Sequence, residues 1–404
     1  MLNVAVINGG RGASGLISAF LERPYINLTS IVNAYDDGKS TGEIRKFFAM
    51  LGPSDIRKVQ QLMLPFDDRN FQTYQNLFNH RFPKDIDREF VFKEIYNFIG
   101  NEDSTLVGVK IDSFYVESNI KKFLKNFVNC LNSIEKLKNI KFNFSDCSIM
   151  NCIYAGAYLY FNRNIADSTL FFGKLFNLRG NVLATSIENK YLVALRENGE
   201  MLYSEAEIVE LRSNVRIERI YLLDAPLPKN SFEKFSQEEK TYYLNQHNCN
   251  VPISQSVVLT LKQADIIIYS AGTQHSSLYP SYISKGLSET IANNKQALKI
   301  FITNIGADYE TPKYMASDYI LGAFKYLNLS DSREYRMEEL FDYNLINKGE
   351  NKRFKSYVKY DKENFNNINV KQIIKNFESK NAPGKHDGDL LVDEILNLKK
   401  ENNI

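Results

Sequence analysis

The sequence predicts an α/β chain: a three-layer sandwich around a mostly parallel sheet, with a helical insertion and a helical C-terminal tail. Three observations carry that prediction. An apolar run, Val4 to Ile7, breaks into a glycine cluster, Gly10-x-Gly12-x-x-Gly15, and a helical stretch, Leu16 to Leu21, follows at once. A second apolar run, Leu28 to Val32, ends in Asp36-Asp37-Gly38. Far downstream, Ala264 to Tyr269 and Lys299 to Thr303 flank a helical pattern from Tyr282 to Ala292, which makes a second β-α-β unit.

The first of these units carries chemistry. Glycines let a backbone turn tightly and approach a phosphate, and the helix that follows offers free N–H groups and its positive dipole end. A lone glycine triplet is also a common structural turn, so the strand before it and the helix after it give the motif its weight. An ordinary dinucleotide reading fits less well. Arg11 sits inside the glycine run, and the acidic pair continues into the polar loop Gly38-Lys39-Ser40-Thr41-Gly42 rather than a ribose-binding strand.

Composition bounds the rest. The 404 residues exceed one ordinary domain, and 50 Lys+Arg against 48 Asp+Glu leave a net charge of +2. Neither sign dominates, which argues against nucleic acid or a membrane as partner. The basic stretches Lys121-Lys122 and Lys136 to Lys141 alternate with apolar residues at helical spacing, as a solvated helix face does. The four cysteines, Cys130, Cys147, Cys152 and Cys249, lack metal-site spacing, and four histidines form no HxxxH array. No apolar run approaches bilayer length, and the opening enters a strand without a basic leader, so we expect a cytoplasmic, reduced protein.

Along the chain, residues 1–64 read as the N-terminal part of a nucleotide-binding core, closing with the turn Gly52-Pro53-Ser54-Asp55 and a helix. Residues 65–146 are rich in Phe, Tyr, Asn and Lys, and Val116 to Leu137 has a helical pattern; this is the insertion or cap. It has three candidate roles (an acceptor pocket, a partner surface or a homodimer contact) which the residues do not separate. Residues 147–330 complete the core. There, helical periodicity runs to about Asn181-Val182-Leu183. A hairpin pairs Tyr191–Leu195 with Met201–Val209 through Glu197-Asn198-Gly199, whose Asn-Gly favours a type I′ turn. Ile217 to Leu223 is a further strand. Residues 331–404 read as the helical tail, with a last helix at Leu390–Leu398.

These motifs together resemble the CofD/YvcK-like family, which includes 2-phospho-L-lactate transferase and the gluconeogenesis factor-like proteins. Gly9-Gly10-Arg11-Gly12 matches the family's GGTG, and Asp36 to Arg45 (DDGKSTGEIR) is similar to its DDGGSSGRLR. Pro53 to Lys58 resembles PGDIRN, Met150-Asn151 the GN helix start, and Arg179 to Ser186 the RGKVLPST segment. Ser270 to Ser281 resembles GPGSLYTSILPN, Tyr309-Glu310-Thr311 the GET element, and His386-Asp387 a late His-Asp pair. The order is collinear over nearly the whole chain. Departures are Arg11 for a small residue, Ala271 for proline, Lys58 for asparagine, and His275 and Ser276 for tyrosine and threonine.

The resemblance implies a Rossmann-like fold and a nucleotide-diphosphate crevice. In such a sheet the ligand sits beyond the C-terminal strand ends. Gly9, Gly10, Arg11, Gly12 and Ser14 would form one wall, and Gly272, Thr273, Ser276, Ser277 and Asn304 the other. Asp37 and Asp55 are the candidate Mg²⁺ ligands and catalytic carboxylates; as alternatives, Asp55 caps a helix and Asp37 shapes a turn. Arg45 and Arg57 are either phosphate clamps or partners of surface carboxylates. Asn151 touches base or sugar, or caps a helix. His275 is a proton carrier or a surface residue, and His386-Asp387 reads as a helix cap.

Two functions follow. One is a Mg²⁺-assisted transferase moving a phosphate-linked group from a nucleoside-diphosphate donor to a small acceptor. The alternative is a non-catalytic UDP-sugar binder regulating cell-wall or carbon metabolism. A NAD-dependent oxidoreductase is the third reading and fits least well.

Overall fold

The computed structural model describes residues 1–100, 102, 111–349, 354 and 356–402. Seven strands form one wholly parallel sheet: β1 (Leu2–Asn8), β2 (Ile26–Val32), β3 (Asn181–Ala184), β7 (Ile266–Tyr269), β8 (Leu298–Ile302), β9 (Tyr343–Asn347) and β10 (Lys371–Lys375). Their spatial order is β10-β9-β8-β7-β1-β2-β3. The three-layer, Rossmann-like α/β architecture is therefore present. All four residues of β7 and all five of β8 are buried, as strands covered by helices on both faces must be.

The order matters for the site. From β1 the chain winds outward through β2 and β3, then returns to β7 on the other side of β1 and winds the opposite way. Val4 to Ile7 of β1 pair with Ile266 to Tyr269 of β7. The connections leaving these two strands diverge, which opens a crevice at their C-terminal ends.

A second sheet, β4 (Tyr191–Arg196), β5 (Met201–Leu202) and β6 (Ile217–Leu223), is antiparallel in the order β5-β4-β6. Its own apolar cluster includes Val193, Leu195, Tyr221, Leu223, Phe232 and Leu244. The expected hairpin forms with two differences. Its second arm spans only Met201–Leu202, because Ser204 accepts a hydrogen bond from the Glu207 N–H and starts a helix, Glu205–Glu210. The turn is not type I′: Gly199 has φ +80° while Glu197 and Asn198 keep negative φ, and Gly199 N–H bonds to the Arg196 carbonyl. This is a type I turn followed by a left-handed glycine.

Other differences are equally local. Asn181 to Ala184 is strand β3, not the end of a helix; the helical periodicity belongs to Ile149–Tyr160 and Ile165–Leu175 before it. The helix expected over Tyr282–Ala292 is broken at Gly286 (φ +84°) into Tyr279–Tyr282 and Leu287–Asn293. Within residues 65–146 lie helices Phe71–Asn79, Arg88–Gly100 and Phe114–Lys138, with no strand among the described residues. The C-terminal segment ends in the expected helix, Gly388–Glu401, and also contributes β9 and β10 to the sheet edge. Asp387 caps that helix by accepting from the Asp389 and Leu390 N–H groups at 3.1 and 3.2 Å. Glycine packs on glycine where it meets helix α1 (Ser14–Leu21): a Cβ on Gly388 would lie 2.1 Å from the Gly15 carbonyl oxygen.

Candidate functional site

The crevice between β1 and β7 holds a cleft of about 480 Å³. Gly9 to Gly12 leave β1 and face Gly272, Thr273, Ser276 and Ser277, which leave β7. The two loops touch. A Cβ on Gly9 would fall 2.6 Å from the Ser277 Cβ, and one on Gly12 would fall 3.3 Å from the Gly272 Cα. A side chain at Gly9 would overlap that of Ser277, and one at Gly12 would crowd the Gly272 backbone, so glycine lets the two loops approach this closely.

Helix N-termini supply the third wall. Helix α2 (Lys39–Phe48) opens on the cleft with Gly38 to Thr41, and helix α3 (Ser54–Leu62) with Ser54 and Asp55. The 3₁₀ turn Arg11–Ala13 joins them, with Arg11 and Gly12 in the lining. Each presents N–H groups without intrahelical partners and a partial positive charge, the arrangement that holds phosphate.

The second loop is firmly braced. Asn304 pairs with Gly272 in both directions, its Oδ1 accepting at 3.0 Å and its Nδ2 donating at 2.9 Å. Glu310 caps the turn at Gln274–Leu278, accepting from the His275 and Ser276 N–H groups at 2.9 and 3.0 Å and from the Ser276 hydroxyl. Burial pushes the Glu310 carboxyl up to about 7. Asn33 donates to the Ser277 carbonyl, and Thr273 donates to the Ser277 hydroxyl at 2.8 Å.

Charge is mixed across the cleft. Arg57 is buried and, among the described residues, has no carboxylate partner; one Nη donates to the Phe78 carbonyl and its Nε lacks a partner. Burial and then neighbouring Arg81 push its pKa down to about 10, so an anion in the cleft relieves it. Lys58 pairs with Asp55 at 2.8 Å. Burial lowers the Lys58 pKa, but Asp55 and Asp36 outweigh it and the net shift is upward. Burial and then the Asp55 charge raise the Asp36 carboxyl. Glu205 rises to about 9 through burial and then the charges of Asp36, Asp37 and Asp55, so it is protonated at neutral pH.

Of the residues singled out from sequence, Gly9, Gly10, Arg11, Gly12, Asp55, Arg57, Gly272, Thr273, Ser276 and Ser277 line the cleft. Six stand elsewhere. Asp37 accepts from the Ala206 N–H at 2.8 Å and tethers helix Glu205–Glu210; it is Asp36 that faces the cleft. Arg45 is buried against the carbonyls of Tyr35 and Lys190. Asn151 lies behind the wall, donating to the hydroxyls of Ser40 and Ser54 at 3.2 and 3.4 Å. Ser14 begins α1 outside the lining, and Asn304 acts through Gly272. His275 is fully buried, its ring packed against Tyr279, Tyr314 and Tyr326 with both nitrogens unpartnered. Burial lowers its pKa to about 3, so it is neutral and closed off from the cleft.

Sequence reasoning missed Lys39, Ser40, Thr41, Lys58, Arg81 and Glu205 as lining residues. The first four lie inside motifs already quoted. Glu205 was legible in Ser204-x-x-Glu207, a helix-start signature placed inside a presumed strand. Arg81 comes from the insertion and carries no motif. Among the described residues no group of three or more His, Cys, Asp or Glu is arranged around a metal position. Mg²⁺ that keeps water and phosphate oxygens needs only one or two carboxylates; Asp36 and Asp55 are the two aspartates in the lining that could supply them, with Asp55 now paired to Lys58.

Fold and site together define an α/β protein whose ligand crevice lies at the topological switch of a parallel sheet. The chain belongs to the CofD family: the family model described as 2-phospho-L-lactate transferase CofD matches residues 4–378. A putative gluconeogenesis factor of Streptococcus pyogenes serotype M3 is 20% identical over 408 residues, covering 98% of this chain and 97% of that protein. A gluconeogenesis factor of Listeria innocua is 25% identical over 318 residues, covering 78% and 71%. A solved member of the UPF0052 family from Bacillus halodurans superposes with a TM-score of 0.67 at 20% identity, covering 98% of this chain and all (100%) of that one. The chain is thus CofD-like and YvcK-like. No described helix is long and apolar enough to cross a membrane.

Proposed function

We propose that the chain binds a nucleoside-diphosphate-linked ligand, a sugar nucleotide, in the cleft between β1 and β7. The observation that carries this reading is the meeting of two glycine loops and the starts of α2 and α3 around Arg57, a buried cation with no carboxylate partner among the described residues. A diphosphate satisfies all of these groups at once. Asp36 and Asp55 would hold Mg²⁺, which supplies charge neutralisation for the diphosphate. Lys58, already on Asp55, stays within reach of the same charge. The binding reading leads over turnover because Glu205 is protonated, Asp55 is in an ion pair, His275 is sealed off, and Asp36 is committed to Mg²⁺ in this reading.

Transfer to an acceptor is the second reading. It is favoured by the cations beside the proposed phosphate position, since phosphorus-group transfer depends mostly on positioning and charge neutralisation. Calorimetry with UDP-sugars, UDP, GDP and pyrophosphate, with and without Mg²⁺, tests binding. Arg11, exposed and inside the first loop, is the variant that leaves the fold intact. Arg11→Ala should weaken nucleotide affinity about tenfold, the loss of one charge-assisted contact. Unchanged affinity in that variant, or no binding by the wild type, contradicts the proposal. Nucleotide release that requires an added acceptor moves the chain from binder to transferase.

A further inference from the structure

Beside the polar cleft lies a second hollow of about 330 Å³, which shares Arg11 and Lys58 with it. Its character is different. Leu62, Leu64, Phe66 and Phe71 form apolar walls, and the amides of Gln61 and Gln75 meet there, Gln61 Nε2 donating to Gln75 Oε1 at 2.7 Å. Phe66 is 63% exposed. It is held in place nonetheless: the Arg179 guanidinium sits 4.4 Å from its centroid, and Arg179 is itself fixed by donating to the Leu21 carbonyl at 2.8 Å. The polar cleft itself also includes Glu205 and Glu210 in its lining.

We propose that this hollow is the nucleobase subsite, which sets the direction in which the ligand lies. The inference rests on the nucleotide reading above. Phosphates lie between the glycine loops, the base passes Arg11 to stack against Phe66, and the amides of Gln61 and Gln75 face its polar edge. The sugar or other group on the far phosphate then points toward Glu205 and Glu210, whose carboxyl oxygens suit hydroxyls. A flat ring carrying donors and acceptors at its edge suits an aromatic shelf with adjacent amides.

Calorimetry with UDP, GDP, CDP, ADP and pyrophosphate in the presence of Mg²⁺ tests this on the full chain. The wild type should bind one nucleotide more tightly than pyrophosphate. Phe66→Ala, at an exposed position, should weaken that nucleotide about tenfold, leave pyrophosphate unchanged, and recover with Phe66→Tyr. Circular dichroism confirms that the variants are folded. Equal affinity of Phe66→Ala and wild type for the nucleotide overturns the subsite, as does an equal loss for pyrophosphate, which marks damage to the phosphate loops instead. Both of those results leave the binding proposal standing. Failure of the wild type to bind any of the five ligands removes the binding proposal itself, and the subsite with it.

Discussion

His275 occupies the loop that lines the cleft, yet its ring turns into the core and meets three tyrosines. A buried imidazole without hydrogen-bond partners costs stability, and the cost grows as the unfolded chain gains protons. Its folded pKa of about 3 lies below the ordinary 6.5, so this group's contribution is complete above pH 6.5 and is lost as pH falls toward 3. His275→Phe should therefore gain about 1–2 kcal/mol at pH 5 and less at pH 7.5, measured by urea unfolding, with nucleotide affinity unchanged. Glu205 behaves oppositely. Its folded pKa of about 9 exceeds the ordinary 4.5, so stability is full below 4.5 and is lost as pH rises toward 9. Thermal melts should show the wild type falling between pH 6 and pH 9 and Glu205→Gln falling less. At this scale the sequence showed which residue types gather, but not which way neighbouring ones face. Asp36 and Asp37 are adjacent, and only the helix at Glu205 decides that Asp37 is the tether and Asp36 the cleft residue.

Among the elements, those that are largely apolar and buried were legible: β7 and β8 are buried throughout, and β1 and β2 are buried over their last five residues. Short strands were not. β3 has four residues and follows two apolar helices, so its periodicity merges with theirs. β10 is the edge strand and β9, buried beside it, is only five residues long, both in a charged stretch where composition suggests surface. The insertion was read as helical from Val116 to Leu137, and one close contact of that helix with the core falls at a residue that pattern alone does not mark. Gly156, in helix Ile149–Tyr160, lies so close to helix Phe114–Lys138 that a Cβ would meet the Phe123 carbonyl oxygen at 1.8 Å. Gly156→Ala should destabilise the chain by about 2–3 kcal/mol in chemical denaturation, because the two helices must move apart. An unchanged midpoint would show that they do not pack this closely.

For the molecule as a whole, one topological fact organises the proposed phosphate site. The chain reverses its winding direction between β1 and β7, and the proposed phosphate contacts come mainly from elements that flank that reversal: the loops after both strands and the starts of α2 and α3. The glycine loops were legible because close backbone approach demands glycine and leaves a trace in the sequence. Arg81 was not, since it arrives from the insertion and folding alone brings it to the cleft. The central claim is that this crevice holds a nucleoside diphosphate. A crystal structure of the chain soaked with UDP or GDP and Mg²⁺ tests it most directly. The account predicts density for the diphosphate between Gly9–Gly12 and Gly272–Ser277, within hydrogen-bond distance of Arg57. A nucleotide bound away from these loops, or a cleft still empty at saturating ligand, would contradict it.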